Sequence, residues 1–284
     1  MVLDYFLIGL GDIMLSRTKS IRNEMLTLSD SYDRLKLLKN KYQDKTAYIV
    51  GTGPSLRDHN IDELKEFLSD KFVLGIKQVH DVLGDIVDIH LMNFCNYKHY
   101  EYNEDIIVSW IVYMQDQPYY IIENNIRCDF MMPLTRNWGS HNTTIAAQRD
   151  FDSLLIDNSF ERPWGSGIMY ESGLPIALYT GCKKIVTIGW DIGNINENDK
   201  GKKLIKYDHF YADGGDMRKT EYDGVNVQKG SPGGSSGMSY DETKMVVDST
   251  EDLHYFLEGI GVELNICSTI NPAYEKIKRI KLYG

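Results

Sequence analysis

The chain has 284 residues, of which 42% are apolar and 11% aromatic, and its formal net charge is −10. This length and apolar content suffice for a substantial core, so we predict a folded, soluble protein of one large domain or two modest ones. The acidic balance argues against a nucleic acid partner, because binding to nucleic acid phosphates usually requires a basic face.

The cysteine spacing and the first residues bear on the compartment. Four cysteines lie far apart without a C-x-x-C pair: Cys95, Cys128, Cys182 and Cys267. They indicate reduced thiols in a cytoplasmic protein rather than a zinc site or a disulfide framework. Residues 1–15 are apolar, but Asp4 and Asp12 interrupt them and no basic leader precedes them, which favours a docking helix over a signal peptide.

The first chain segment predicts helices and then a strand with a glycine turn. Residues 1–43 alternate apolar and charged groups at helical spacing and predict two helices. The stretch Thr46 to Leu56, TAYIVGTGPSL, is typical of a buried strand that ends in glycines. Such glycines allow backbone N–H groups to approach an anion, although a purely structural tight turn explains them equally well.

Further strands follow at regular intervals. Asn60 is placed to cap a helix, and the segments 71–77, 86–93, 106–114 and 128–134 read as strands. Lys77, Gln78 and Asn93 fall at strand ends, where a Rossmann-like sheet binds its ligand. The stretch 135–157 carries Trp138, His141 and Asn142 in a loop context; these side chains contact a substrate or cap the sheet, and we favour the structural interpretation.

A second turn, helix and strand module begins at Trp164 with the sequence WGSGIMYESGLPIALYTGCKKIVTIGWDIG. Ser166 lies at the predicted helix N-terminus, where the dipole and unpaired N–H groups favour a phosphate or carboxylate. Asp191 falls at the carboxyl end of the strand. There it either binds a ligand, which we favour, or caps the following loop.

Residues 192–240 are polar and glycine-rich, and we interpret them as a mobile lid. An aromatic and titratable cluster lies within them: Tyr207, Asp208, His209, Phe210 and Tyr211. His209 is suited to accept a proton near neutral pH, and the Tyr207 hydroxyl to donate to a departing phosphate. A cluster that only anchors the loop is the alternative.

The last segment predicts a helix over 249–260, a strand over 262–268 and a basic tail with Lys276, Lys278, Arg279 and Lys281. A solvated terminal helix is the favoured interpretation of the tail, and contact with an anionic membrane is the alternative. The fold class is therefore α/β, a Rossmann-like, mostly parallel sheet with helices on both faces. Its predicted units are a helical extension 1–44, a Rossmann-like ligand-binding domain formed by 45–191 and 241–284, and the lid.

Three motifs carry a family resemblance: YIVGTGPSL, GSGIMYESGLPIALYTGCKKIVTIGWDIG and VELNICSTINPAYEKI. They resemble the bacterial sialyltransferases of glycosyltransferase family 42. They are also similar to a broader set that includes flagellin-modifying motility accessory factors and an archaeal 6-hydroxymethylpterin diphosphokinase. The resemblance implies a CMP-sugar pocket and a glycan or glycoconjugate acceptor. The residues that the resemblance implies in binding are Gly51, Thr52, Gly53, Ser55, Asn93, Ser166, Gly167, Gly189 and Trp190. Lys77 is a further binding candidate because it lies at a neighbouring strand end.

Some positions depart from the family pattern. Thr52 stands where the sialyltransferases have asparagine, Lys77 stands near another asparagine, and Gly193 replaces a tyrosine.

We expect direct displacement at the anomeric carbon, with His209, Asp191 and Tyr207 as catalytic residues and no obligatory metal. A diphosphate donor would instead recruit Mg²⁺ at Asp191 and Asp208.

Other functions and states also fit this sequence. The alternative functions are a pterin-type diphosphokinase that uses ATP and magnesium, and a non-catalytic nucleotide-binding module. The chain is also compatible with a homo-oligomer.

Overall fold

The computed structural model describes residues 18–93, 100–112, 117–134, 141–156, 162–193, 195–202, 205–206, 209–211, 220–222, 225–227 and 237–283. Its helices are α1 (18–25), α2 (Ser31–Lys36), α3 (Ile61–Leu68), α4 (His80–Leu83), α5 (Gln117–Glu123), α6 (Ile145–Gln148), α7 (Leu174–Tyr179) and α8 (Tyr240–Gly259). Its strands are β1 (Thr46–Val50), β2 (Phe72–Ile76), β3 (Ile89–Asn93), β4 (Ile107–Val112), β5 (Phe130–Pro133), β6 (Lys184–Ile188), β7 (Ile205–Lys206), β8 (Thr220–Tyr222), β9 (Val225–Val227), β10 (Gly237–Met238), β11 (Glu263–Cys267) and β12 (Lys278–Arg279).

Eight strands form one sheet in the order β12-β11-β6-β1-β2-β3-β4-β5. Every neighbouring pair in it is parallel. The chain runs outward from β1 through β2 to β5, and then returns to the other side of β1 as β6. The strand order therefore reverses between β1 and β6, and at such a switch point the loops diverge and leave a crevice.

Side chains of the strands alternate between two hydrophobic layers. Ala47 and Ile49 of β1 contribute to the larger layer. Val50 contributes to the layer that α3 covers with Ile61, Leu64 and Leu68. Layers on both faces of a parallel sheet confirm the α/β, Rossmann-like fold predicted from the sequence.

Helix α1 is attached to the sheet by two buried carboxylates. Thr18 donates to Asp88 over 3.1 Å, and Arg22 donates to Asp129 over 3.1 Å. Both aspartates also accept an amide hydrogen bond from a strand. Helix α1 is therefore fixed by polar contacts as well as by the burial of Ile21 and Met25.

Two predicted helices differ from those observed. Helix α8 begins at Tyr240, earlier than the predicted 249, because Ser239 caps it by accepting from the Glu242 amide over 3.1 Å. The predicted terminal helix is wrong: the tail adds β12 to the sheet edge beside β11, and it buries Ile277. Contact of the tail's lysines with an anionic membrane stays a prediction.

Residues 192–240, predicted to form a lid, are described only in part, and Tyr207, Asp208 and Trp138 lie outside the described residues. Two short antiparallel pairs, β7 with β10 and β8 with β9, lie within residues 192–240.

Across the described helices, none has the length and apolar character needed to span a membrane. The three described cysteines are free thiols. Burial raises the pKa of Cys128 to about 12 and that of Cys182 to about 11, which disfavours their reactive thiolate forms.

Candidate functional site

A cavity of about 740 Å³ lies at the carboxyl ends of β1, β2 and β6, where the strand order reverses. The turn after β1, the start of the helix at Ser166 and the loop after β6 form its walls. Its volume is within the range of about 300–1,000 Å³ found for small-molecule sites. The position and the size both identify this cavity as the candidate functional site.

The glycines of the first turn allow two loops to approach each other closely. The Gly51 amide donates to the Ile188 carbonyl over 2.7 Å, and the Gly53 amide donates to the Gly189 carbonyl over 2.8 Å. A Cβ atom on Gly51 would lie 2.7 Å from the Gly189 oxygen, which is too close for any side chain. Both amides thus donate to carbonyls at the end of β6 and directly after it, so an anion in the cavity has to find other donors.

Asp191 connects three strand ends. Its carboxylate accepts from the Ser55 amide over 2.8 Å, from the Ser55 hydroxyl over 2.7 Å and from the Ser268 hydroxyl over 2.6 Å. Asp191 is 7% exposed. A carboxylate with three such partners holds the ends of β1, β6 and β11 together, and this geometry favours a positioning role.

Strained backbone is concentrated around the cavity. Six described non-glycine residues have positive φ, and three of them line the cavity: Lys77 (53°), Ser166 (62°) and Ile192 (55°). A β-branched residue such as Ile192 is rare in this conformation. Strain of this kind persists only where the surrounding structure enforces it, and it is common at binding sites.

The helix that begins beside Ser166 is irregular. Its first turn is a π-helix, Met169–Gly173, which continues into α7. Such π-turns occur frequently at functional sites. Ser166 is buried, and its hydroxyl lies 3.5 Å from a Glu242 carboxylate oxygen at the start of α8. Helix starts of two chain segments therefore meet at this wall of the cavity.

Residues 209–211 contact the first turn directly. The Phe210 amide donates to the Thr52 carbonyl over 3.0 Å, and Thr52 Oγ1 lies 3.3 Å from His209 Nδ1. Arg57 donates to the carbonyls of His209 and Phe210, each over 2.7 Å. The His209 ring also stacks on Tyr211, with centroids 5.1 Å apart. His209 is thereby held at the cavity wall.

Most predicted site residues converge on this cavity. Those that line it are Gly51, Thr52, Gly53, Lys77, Ser166, Gly167, Gly189, Trp190, Asp191 and His209. Ser55 and Asn93 are buried and are absent from the lining. The hydroxyl and amide of Ser55 are directed to Asp191 instead. The role predicted for Tyr207 stays a prediction, because it falls outside the described residues.

Sequence reasoning missed Arg57 and Ser268. Arg57 acts across 152 residues of chain, and no local pattern indicates that. Ser268 directly follows β11, so the rule that parallel strand ends gather at one edge could have identified it.

The described residues contain no group of three or more His, Cys, Asp and Glu side chains that could hold a metal ion. Both carboxylate oxygens of Asp191 already accept hydrogen bonds from serines. Asp208, the other residue predicted for Mg²⁺, lies outside the described part of the chain.

Comparison with known proteins gives structural neighbours only. No protein-family model matches the chain, and no curated protein matches it in sequence. It is similar to the structure of MAf glycosyltransferase from Magnetospirillum magneticum AMB-1, with a TM-score of 0.40 and 11% identity. The match covers 90% of this chain and 39% of that one.

A second neighbour is the sialyltransferase CstII from Campylobacter jejuni, solved in complex with a substrate analogue, cytidine-5'-monophosphate. Its TM-score is 0.33 and its identity 13%, and the match covers 78% of this chain and 79% of that one. A sialyltransferase is among the proteins that the sequence motifs resemble. The fold assignment itself rests on the eight-stranded parallel sheet.

Proposed function

We propose that the protein is a glycosyltransferase that transfers a sialic-acid-like sugar from a CMP-sugar to a hydroxyl of a glycan or glycoconjugate. The observation that carries this proposal is the cavity at the switch point, which Lys77, Ser166 and His209 all line. A cation, a hydroxyl at a helix start and an imidazole together suit a sugar phosphate and a proton transfer.

The reaction is a displacement at the anomeric carbon. The acceptor oxygen forms a bond to that carbon, the bond from the carbon to the phosphate oxygen breaks, and CMP leaves with the electron pair. The acceptor's proton passes to His209. If His209 Nδ1–H donates to Thr52 Oγ1, the Nε2 lone pair becomes the base. The Lys77 ammonium then offsets the charge that develops on the phosphate.

A binding and turnover panel tests this function. We expect CMP to raise the melting temperature and CMP-sialic acid to be hydrolysed slowly without acceptor. His209→Ala should reduce turnover by about 100-fold or more, since a general base contributes roughly 10²–10⁴. It should leave CMP affinity nearly unchanged. His254→Ala is the matched control, because this histidine lies on α8 outside the cavity lining.

Two outcomes contradict the proposal. Stabilisation by ATP with magnesium, and none by CMP or UDP, would assign the protein to diphosphoryl transfer. CMP binding by the intact protein without any turnover of CMP-sialic acid would identify a non-catalytic binding module.

A further inference from the structure

Lys77 occupies an unfavourable backbone conformation at the edge of the cavity. It follows the last residue of β2, has φ of 53° and is half-buried. A lysine in the left-handed region is less stable than glycine, which adopts this conformation without a steric penalty. Glycine would relieve the strain, so we expect the Lys77 side chain to have a role that glycine cannot fill.

A buried histidine holds this conformation in place. His90 of β3 is fully buried, and its Nε2 lies 2.6 Å from the Lys77 carbonyl oxygen. A carbonyl can only accept, so Nε2 carries the hydrogen and donates it. This bond fixes the direction of the Lys77 peptide, and thereby where the chain turns away from β2.

The other nitrogen of His90 is held by Tyr102. Nδ1 lies 2.8 Å from the Tyr102 hydroxyl, and in the neutral ring this nitrogen accepts the phenolic hydrogen. Burial raises the pKa of Tyr102 well above its usual value, which keeps the hydroxyl a donor. The hydrogen bonds therefore run in one direction, from Tyr102 through His90 to the Lys77 carbonyl.

We propose that Tyr102 and His90 are positioning residues that hold Lys77 in its strained conformation, so that its ammonium group meets the phosphate of the bound nucleotide. This role rests on the proposed function, in which the cavity binds CMP. It assigns a task to two residues outside the cavity lining, and it makes Lys77 responsible for the phosphate rather than for the base or the sugar.

The test compares CMP with cytidine, which lacks the phosphate, by calorimetric titration of the full chain. Lys77→Met should weaken CMP binding about tenfold or more, as expected for a hydrogen bond between charged groups, and leave cytidine binding unchanged. Lys77→Gly should weaken CMP binding similarly while raising the melting temperature, because it releases the strain. Lys71→Met, outside the cavity lining at the other end of β2, is the control for net charge and should change neither.

The positioning residues are tested by a conservative pair. His90→Gln keeps a donor for the Lys77 carbonyl and should retain most CMP affinity, whereas His90→Leu removes the donor and should reproduce the loss seen in Lys77→Met. Tyr102→Phe should give a smaller loss of the same kind. In each variant cytidine binding reports whether the cavity is still folded.

The binding data separate the positioning role of His90 and Tyr102 from the function of the cavity. If the intact protein binds CMP and the Lys77 and His90 variants bind it equally well, the positioning role is wrong and the proposed function stands. If Lys77→Gly lowers the melting temperature, the strain argument is wrong. If the intact protein binds neither CMP nor cytidine, both proposals are overturned.

Discussion

At the scale of single residues, a structural role of the Asp191 carboxylate can be separated by experiment from a role in the reaction. Asp191→Ala would leave three buried donors on Ser55 and Ser268 without their acceptor. We expect it to lower the free energy of unfolding by about 3 kcal/mol, and Ser268→Ala by about 1 kcal/mol. Urea unfolding measures both. Unchanged stability with lost turnover in Asp191→Ala would show that the carboxylate acts in the reaction and not in the fold.

Asp88 provides a pH-dependent contribution to stability. Burial raises its pKa from 3.8 to about 7, against the lowering effects of the Val73 amide, Thr18 and Lys45. Between these values the native state keeps a proton that the unfolded chain releases, so stability is lost as pH rises from about 4 to about 7.

Asp88→Asn removes this titration while keeping the side-chain shape. We expect the stability of the variant relative to the parent protein to increase from pH 4 to pH 7, by about 1.4 kcal/mol per unit of pKa shift at most. Urea midpoints at matched pH values measure the difference, and charges elsewhere cancel in it. A difference that stays constant from pH 4 to pH 8 would contradict the raised pKa.

At the scale of elements, local patterns predicted the parallel strands well, because each is a short apolar run with polar flanks. They failed where distant contacts decide. The tail places Ile277 and Ile280 three residues apart, which suits a helix, yet pairing with β11 makes it a strand.

The early start of α8 had a local signal, since Ser239 and Glu242 match a capping box. At the site, Ser166 and His209 were predictable by chemistry, whereas the reach of Arg57 was not.

The segment 209–211 is an element whose position depends on Arg57. Arg57→Lys loses the two-pronged donation to its carbonyls, because an ammonium group cannot match the guanidinium fork. We expect faster hydrogen exchange at the Phe210 amide and weaker turnover, with little change in global stability. Arg149→Lys is the control. Arg149 donates to the Asp248 carbonyl of α8 and lies outside the cavity lining, so the variant changes a similar contact at another site. Equal exchange rates in both variants would contradict the anchoring role of Arg57.

At the scale of the whole molecule, the far edge of the sheet is connected to the cavity through the tail. Arg279 of β12 donates to the carbonyls of Ala273 over 2.8 Å and Asn271 over 3.2 Å, and it also contacts those of Tyr274 and Ile277. Asn271 in turn donates to the carbonyl of Trp190, which lines the cavity. One guanidinium group therefore orders the loop that supports this wall of the site.

Arg279→Lys tests that connection. A lysine cannot reach four carbonyls at once, so we expect a loss of about 1–3 kcal/mol in the free energy of unfolding. Hydrogen exchange in residues 268–277 should be faster, and CMP binding should weaken because Trp190 loses its support. Lys278→Arg, the reverse change on the same strand, controls for composition and should change none of these. If Arg279→Lys destabilises the edge while exchange at Trp190 and CMP affinity stay unchanged, β12 stabilises the sheet alone, and the cavity wall depends on other contacts.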